Sequence, residues 1–221
     1  MGGFKNEALN AAFEEGAIIT VIAHLTECTK RMKADCVKNS NPLRNDENKI
    51  TNRLAAQYLN VGYNVFRYEI QSPENFDEKT DTFVGRTDIK VTSLDYRFRD
   101  SKAYYTIECK RIDGKDDALN KKYVTDGVAR FVCHPPKYSS YYRENIMFAY
   151  VVQTIDVSAN AASINRLQST LLIGVTSKAF KESQVAADYR VYSCEYTSKE
   201  IGKMKLYHLF YDLADVVCTS K

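Results

Sequence analysis

Proline and glycine are scarce, 4 and 9 among 221 residues, which leaves no room for a collagen-like or low-complexity tract. Long apolar runs are missing too. The longest, Ala17 to Ala23, stops at His24, well short of the roughly 18 residues that a membrane-spanning helix needs. The segment Met1 to Asn10 carries Lys5 and Glu7 and no apolar block followed by small residues, so secretion is not expected. The 6 cysteines contain no Cys-x-x-Cys pair and have no histidine at zinc-site spacing. They read as free thiols in a reducing cytoplasm rather than as a structural metal site. Neither sign of charge dominates, since 31 Lys and Arg against 28 Asp and Glu leave +3. That balance permits contact with nucleic acid without arguing for it, because only clustering on one face builds a strong field.

What is present is the composition of an ordinary globular protein, 44% hydrophobic and 27% charged, in a length that suits one domain. An N-terminal helical segment is expected over about residues 1–40, a core over about 46–155 and an α/β completion over about 156–221. From about Asn6 to Lys33, Ile18, Ile22, Leu25, Cys28 and Met32 recur at helical steps on one stripe. The polar stretch Asp35 to Asn45 reads as a loop, and a helix is expected from Asp46 to Leu59, capped by Asn45 or Asp46 and left through Gly62. Extended structure follows over Tyr63 to Ile70, then an acidic, turn-rich and mobile stretch from Gln71 to Thr80. Thr87 to Leu94 and Ala103 to Ile112 read as a hairpin joined around Arg97 to Lys102. A helix over Ala118 to Val132 ends at His134-Pro-Pro, because proline cannot continue the ladder. Ile146 to Ile155 reads as a strand covered on both faces. A helix from Ala159 to Leu171, a strand from Leu172 to Thr176 and a late hairpin of Tyr189 to Thr197 with Lys203 to Phe210 complete a mixed α/β pattern.

Chemistry concentrates in four pieces. Inside an apolar, aromatic strand stands Ile107-Glu108-Cys109-Lys110-Arg111. Alternation along a strand puts Thr106, Glu108 and Lys110 on one face and Tyr105, Ile107 and Cys109 on the other. Asp88 lies in the preceding β-rich segment, where a lone carboxylate is costly to bury. If the two strands pair, Asp88 meets Glu108, and two carboxylates with backbone carbonyls and water suit Mg²⁺. Glu47 precedes Ile50, Leu54 and Tyr58 on the inward stripe of its helix, where an acid needs a partner. The plainer reading of Glu47 is a first-turn acid favoured by the helix dipole. Lys121, Lys122 and Arg130, on the helix that follows, and Arg86, just before Asp88, are placed to set cations beside a phosphate backbone.

Glu47, then Asp88, then Glu108-x-Lys110 followed by a helix resembles the PD-(D/E)xK, or restriction-endonuclease-like, nuclease superfamily over roughly Asp46 to Tyr150. Tyr63-Asn-Val-Phe-Arg-Tyr with Asp88 and Ile107-Glu-Cys-Lys-Arg is similar to archaeal-type Holliday-junction resolvases and related restriction enzymes. The tract Tyr123, Gly127, Arg130, Phe131, Lys137 and Tyr138 with Met147 to Tyr150 is similar to some bacterial nuclease-like proteins. One departure is Thr87, where the literal motif has proline; that position is not a ligand. The resemblance implies a restriction-endonuclease-like core with a central mixed sheet of about four strands flanked by helices. It implies Mg²⁺, with Mn²⁺ as substitute, held by Asp88, Glu108 and the carbonyl of Cys109. Lys110 would orient or activate the attacking water, and Glu47 would act through a second metal or a bound water. The implied partner is DNA, cut in the manner of restriction, defence or DNA-processing endonucleases, with a homodimer as in enzymes that cut two strands.

At Lys110, metal and burial lower the pKa toward that of a base while the carboxylates raise it. His24, His134 and His208 lack triad spacing and read as structural or exposed. Tyr138, Tyr141 and Tyr142 pack or stack on unpaired bases. Asp113, Asp116 and Asp117 read as a solvated turn. The rival readings are a binding or assembly module that kept the fold and lost catalysis, and a small-molecule α/β enzyme. The second lacks a glycine-rich phosphate loop after any strand.

Overall fold

A computed structural model describes residues 7–62, 64–95, 98, 100–114, 117–135, 137–140, 142–183 and 190–218, with side chains from Gly16 onward. Parts of five expected features lie outside the described residues: Asn6 of the first helix, Tyr63 of the first strand, Arg97 of the connection, Pro136 of the His134-Pro-Pro stop and Tyr189 of the late hairpin. Tyr141 and Asp116 lie outside them as well.

Helix α1 (Glu7–Lys38) runs past the expected end at Lys33. Its apolar stripe does not stop there: Cys36 continues Ile18, Val21, Ile22, Leu25, Cys28 and Met32 into the core. Asp46 caps α2 (Glu47–Leu54) by accepting the Lys49 amide at 3.0 Å. One π-helical stretch (Ala55–Leu59) carries the chain on to Gly62, whose φ of +82° is open to glycine without a Cβ clash.

Strands β1 (Phe66–Ile70), β2 (Pro73–Asp77), β3 (Thr82–Arg86), β4 (Ile89–Ser93) and β5 (Tyr105–Ile112) follow. The acidic stretch after Gln71 is therefore not an irregular turn. Its residues pair as the separate hairpin β2–β3, with the Phe76 and Phe83 rings in edge contact at 5.3 Å. Helix α3 (Asp117–Tyr123), a π-helical stretch (Val124–Val128) and α4 (Ala129–Val132) form one interrupted helical rod, left at Cys133 by an extended backbone. Then come β6 (Glu144–Val151), α5 (Val157–Leu171), β7 (Val175–Ser177), β8 (Lys181–Ser183), β9 (Arg190–Ser198) and β10 (Gly202–Asp212).

The main sheet is mixed and eight-stranded, ordered β1-β4-β5-β6-β10-β9-β7 with β8 also beside β9. That is twice the number expected, because the late hairpin inserts β10 against β6 and short strands extend the far edge. β6 runs parallel to both β5 and β10, and the other pairs are antiparallel. Alternation along the central strands divides the core. Ile107, Cys109, Phe148, Tyr150, Leu209 and Tyr211 pack with α1 and α2. Met147, Ala149, Val151, Leu206 and Phe210 pack with the α3–α4 rod and α5. Among the described residues no helix is long and apolar enough to cross a membrane.

Candidate active site

Strand β5 is covered on both faces, so its polar face is almost wholly withdrawn from bulk water. Glu108 is 0% exposed and Lys110 7%, a placement that is tolerable only for charges that are paired and hydrogen-bonded. The register Ile89↔Ile107 carries Asp88 one step beyond β4 to a place opposite Glu108. There Asp88 Oδ2 accepts the Cys109 amide at 2.8 Å. From the first turn of α2, Glu47 Oε2 accepts the Arg111 amide at 3.0 Å. Three carboxylates from three elements are thus fixed by backbone donors or by burial around one strand.

Their centre is the Lys110 ammonium. Nζ lies 2.8 Å from Glu108 Oε1, 2.8 Å from the Cys109 carbonyl, 3.1 Å from Glu47 Oε1 and 3.8 Å from Asp88 Oδ2. Burial works against its charge, but Glu108, Asp88 and Glu47 outweigh burial and hold its pKa above the ordinary lysine range. Lys110 is therefore a cation here and not a free base. Glu108 moves up to about 7, first because it is buried and next because Asp88 is negative, against the pull of Lys110 and Arg130.

Four oxygens around one cation are the donor set that a hard divalent ion takes. Among the described residues no three Asp, Glu, His or Cys side chains close on a point as a metal site. The oxygens stand at ammonium spacing, 2.8 to 3.8 Å from Nζ, whereas Mg²⁺ needs about 2.0–2.1 Å. The donor types suit a divalent metal, but the oxygens are arranged around the Lys110 ammonium.

A cleft of about 340 Å³ opens beside this cluster, with Glu47, Lys110, Arg111, Lys122, Asp126 and Arg130 in its lining. Gly127 allows the helical rod to lie this close: a Cβ there would stand 2.6 Å from Met147 Cε and 3.5 Å from Lys110 Cγ. Of the expected phosphate-facing cations, Lys122 and Arg130 line the cleft. Lys121 is exposed and does not, and Arg86 is exposed on β3 opposite Pro73, away from it. Arg130 is also engaged inside the cluster, 3.1 Å from Glu108 Oε1. Arg111 is a cleft cation that sequence pattern did not single out, its guanidinium donating to Asn45 O and Oδ1 at 2.6 and 2.8 Å. The buried Nε–H groups of Arg111 and Arg130 have no partner among the described residues.

Tyr138 was not singled out as a site residue. Its hydroxyl donates to Glu108 Oε2, so the ring is committed inside the protein, and Tyr142 is buried in the core; neither is free to stack on a base. His24 bonds to Leu59 O and Asn64, and His208 is buried. A larger cleft, about 680 Å³, lies on the other side of α3, lined by Asp113, Asp117 and Asp156 among others. It contains none of the cluster residues, and its acidic lining disfavours a phosphate. Chemistry rather than size selects the smaller cleft.

Comparison with protein-family models, curated proteins and solved structures finds no significant match. Any functional reading therefore stands on the geometry alone.

Proposed function

We propose that the chain is a divalent-metal-dependent nuclease with a restriction-endonuclease-like core, hydrolysing phosphodiester bonds in DNA as an endonuclease of restriction, defence or DNA-processing type. The observation that carries this reading is the meeting of Glu47, Asp88, Glu108 and the Cys109 carbonyl on one cationic point. That point borders a cleft lined by Lys122, Arg111 and Arg130. Asp88, Glu108 and the Cys109 carbonyl would hold Mg²⁺ or Mn²⁺. Such an ion supplies a nucleophilic water at neutral pH and offsets charge on the phosphate oxygens. Arg111, Lys122 and Arg130 line the cleft and would bind and orient the phosphate backbone. Lys110, 2.8 Å from Glu108 Oε1, places a hydrogen-bond donor and a positive charge beside the reacting group, where it would orient or activate the attacking water. Glu47 holds the Arg111 backbone in place and gives Lys110 a second carboxylate.

One observation favours a second reading, a nucleic-acid-binding or assembly module: the ammonium already satisfies the carboxylates, as in a structural ion-pair network. Incubating the full chain with plasmid, linear, branched and single-stranded DNA, and with RNA, in Mg²⁺, Mn²⁺ or EDTA separates the two. Metal-dependent strand scission that EDTA abolishes is expected. Retention of DNA with no scission in either metal would give the site to the binding module.

A further inference from the structure

Glu74 is a buried carboxylate outside the proposed chemistry, 2% exposed, on the small hairpin β2–β3. Its partners are unusually complete. Oε2 accepts the Ser139 amide at 3.1 Å, the Ser139 hydroxyl at 2.9 Å and the Tyr104 hydroxyl. On the other side Lys90 Nζ stands 3.8 Å from Oε1 and 4.1 Å from the centre of the Tyr104 ring. A carboxylate is not buried in this way without donors to hold it, and two of the donors, the amide and hydroxyl of Ser139, belong to the segment that carries Tyr138.

That segment is clamped from two directions. The Lys137 amide donates to Arg130 O at 3.1 Å. Across from it the hairpin backbone comes so near that a Cβ on Gly85 would stand 3.3 Å from Lys137 O. Between Lys137 and Ser139, Tyr138 is left one direction to point, and its hydroxyl donates to Glu108 Oε2. Arg130 spans both oxygens, 3.1 Å from Oε1 and 3.4 Å from Oε2. With Oε2 occupied, the oxygen directed at the Lys110 ammonium is Oε1, at 2.8 Å.

We infer that Glu74 and Tyr138 are positioning residues: Glu74 fixes Ser139, Ser139 fixes Tyr138, and Tyr138 sets the orientation of the Glu108 carboxylate, so that one oxygen is turned to the centre of the cluster. The accessory hairpin is thereby part of the site although no residue of it lines the cleft. This rests on the nuclease reading in one respect, that Glu108 is a metal ligand. Groups that orient a ligating side chain in this way typically change metal affinity or activity by about 10–100-fold when removed. A residue that only holds the hairpin down would change stability instead.

The test is Mn²⁺ affinity of the full chain, measured by titration calorimetry without nucleic acid, for wild type, Tyr138→Phe, Glu74→Gln and the double variant. Each single variant is expected to bind about tenfold more weakly, and the double no more weakly than Tyr138→Phe, because Glu74 acts through Tyr138. Urea unfolding of the same set should show Glu74→Gln losing stability in both backgrounds. Wild-type Mn²⁺ affinity in the single variants, or losses that multiply in the double, would overturn the relay while leaving the nuclease reading intact. Failure of the wild-type chain to bind Mn²⁺ would instead remove the nuclease reading, and the relay with it. Should Glu74→Gln not fold, Ser139→Ala takes its place. It deletes the hydroxyl's contacts to Glu74 and to Tyr104 and keeps the amide, and a weaker loss in the same direction is expected, with unchanged affinity overturning the relay.

Discussion

Lys110 holds together three carboxylates that would otherwise repel one another, and this gives its removal a signature. Lys110→Met keeps most of the apolar stem and deletes the ammonium. Without metal the variant should melt at lower temperature than wild type, since Glu108 and its neighbours lose their cation. Mn²⁺ should then raise its melting temperature more than it raises that of wild type, because ion and ammonium compete for the same oxygens. Turnover should fall by about 100-fold or more, with DNA affinity in Ca²⁺ nearly unchanged, since one cation is a small part of a spread of phosphate contacts. Calorimetric melting and single-turnover cleavage on one preparation check the set. Equal melting shifts in both proteins would refute the competition.

His208 belongs to the same scale but to stability. It is fully buried, 2.9 Å from the Tyr123 hydroxyl and 3.0 Å from that of Tyr196, and burial lowers its pKa from 6.5 to about 3. Between those values the unfolded chain binds a proton that the folded chain refuses. Stability present above about pH 6.5 is therefore lost as pH falls toward 3, at roughly 1.4 kcal/mol per pH unit. Denaturant titrations at pH 7, 6 and 5 should show that slope, and His208→Gln should flatten it. An unchanged slope in the variant would assign the acid sensitivity elsewhere.

At the scale of elements, the first turn of α2 carries both a cap and a site residue. Asp46→Ala should cost about 1 kcal/mol in urea unfolding, the usual value of a lost N-cap. It should also lower cleavage, because Glu47 hangs from that turn. A stability loss with wild-type rates would return Glu47 to the role of an ordinary first-turn acid.

Elements also explain what could be read in advance. The β5 residues were legible because strand alternation is local, and Asp88 was legible because a carboxylate in a β-rich segment asks for a partner on the next strand. The inward stripe of α2 likewise pointed to Glu47. Tyr138 was not legible: its position follows from a clamp between Arg130 O and Glu74, and no periodicity runs through residues 137–140. The β2–β3 hairpin is hidden in the sequence because Gln71 to Thr80 is acidic and rich in turn residues and so reads as a mobile turn. One of those acids, Glu74, is satisfied by Ser139, 65 positions away. β8, three residues long, is too short to show a period.

For the molecule as a whole, hard oxygen ligands make the choice of ion testable. Mg²⁺ or Mn²⁺ should support cleavage, whereas Ca²⁺, with its longer and looser coordination, should bind with little turnover. Asp88→Ala should abolish both metal affinity and cleavage while the chain stays folded, since one of the crowded carboxylates is gone. Circular dichroism, calorimetry and a plasmid assay check this together. Unfolding of the variant would make Asp88 a structural residue held to the Cys109 amide.

The sheet order puts β10 beside β6, although 50 residues separate the end of one from the start of the other. During synthesis, β5 and β6 can pair early, but the outer edge of β6, buried along almost its whole length in the finished protein, stays open until residues 202–212 have left the ribosome. An open apolar edge invites pairing with another chain. The nascent protein therefore has an interval in which β5 is paired and the rest of its sheet is not. Chains terminated before Gly202 should accumulate as aggregates in a pelleting assay, and supplying the β9–β10 hairpin as a peptide should keep part of them soluble.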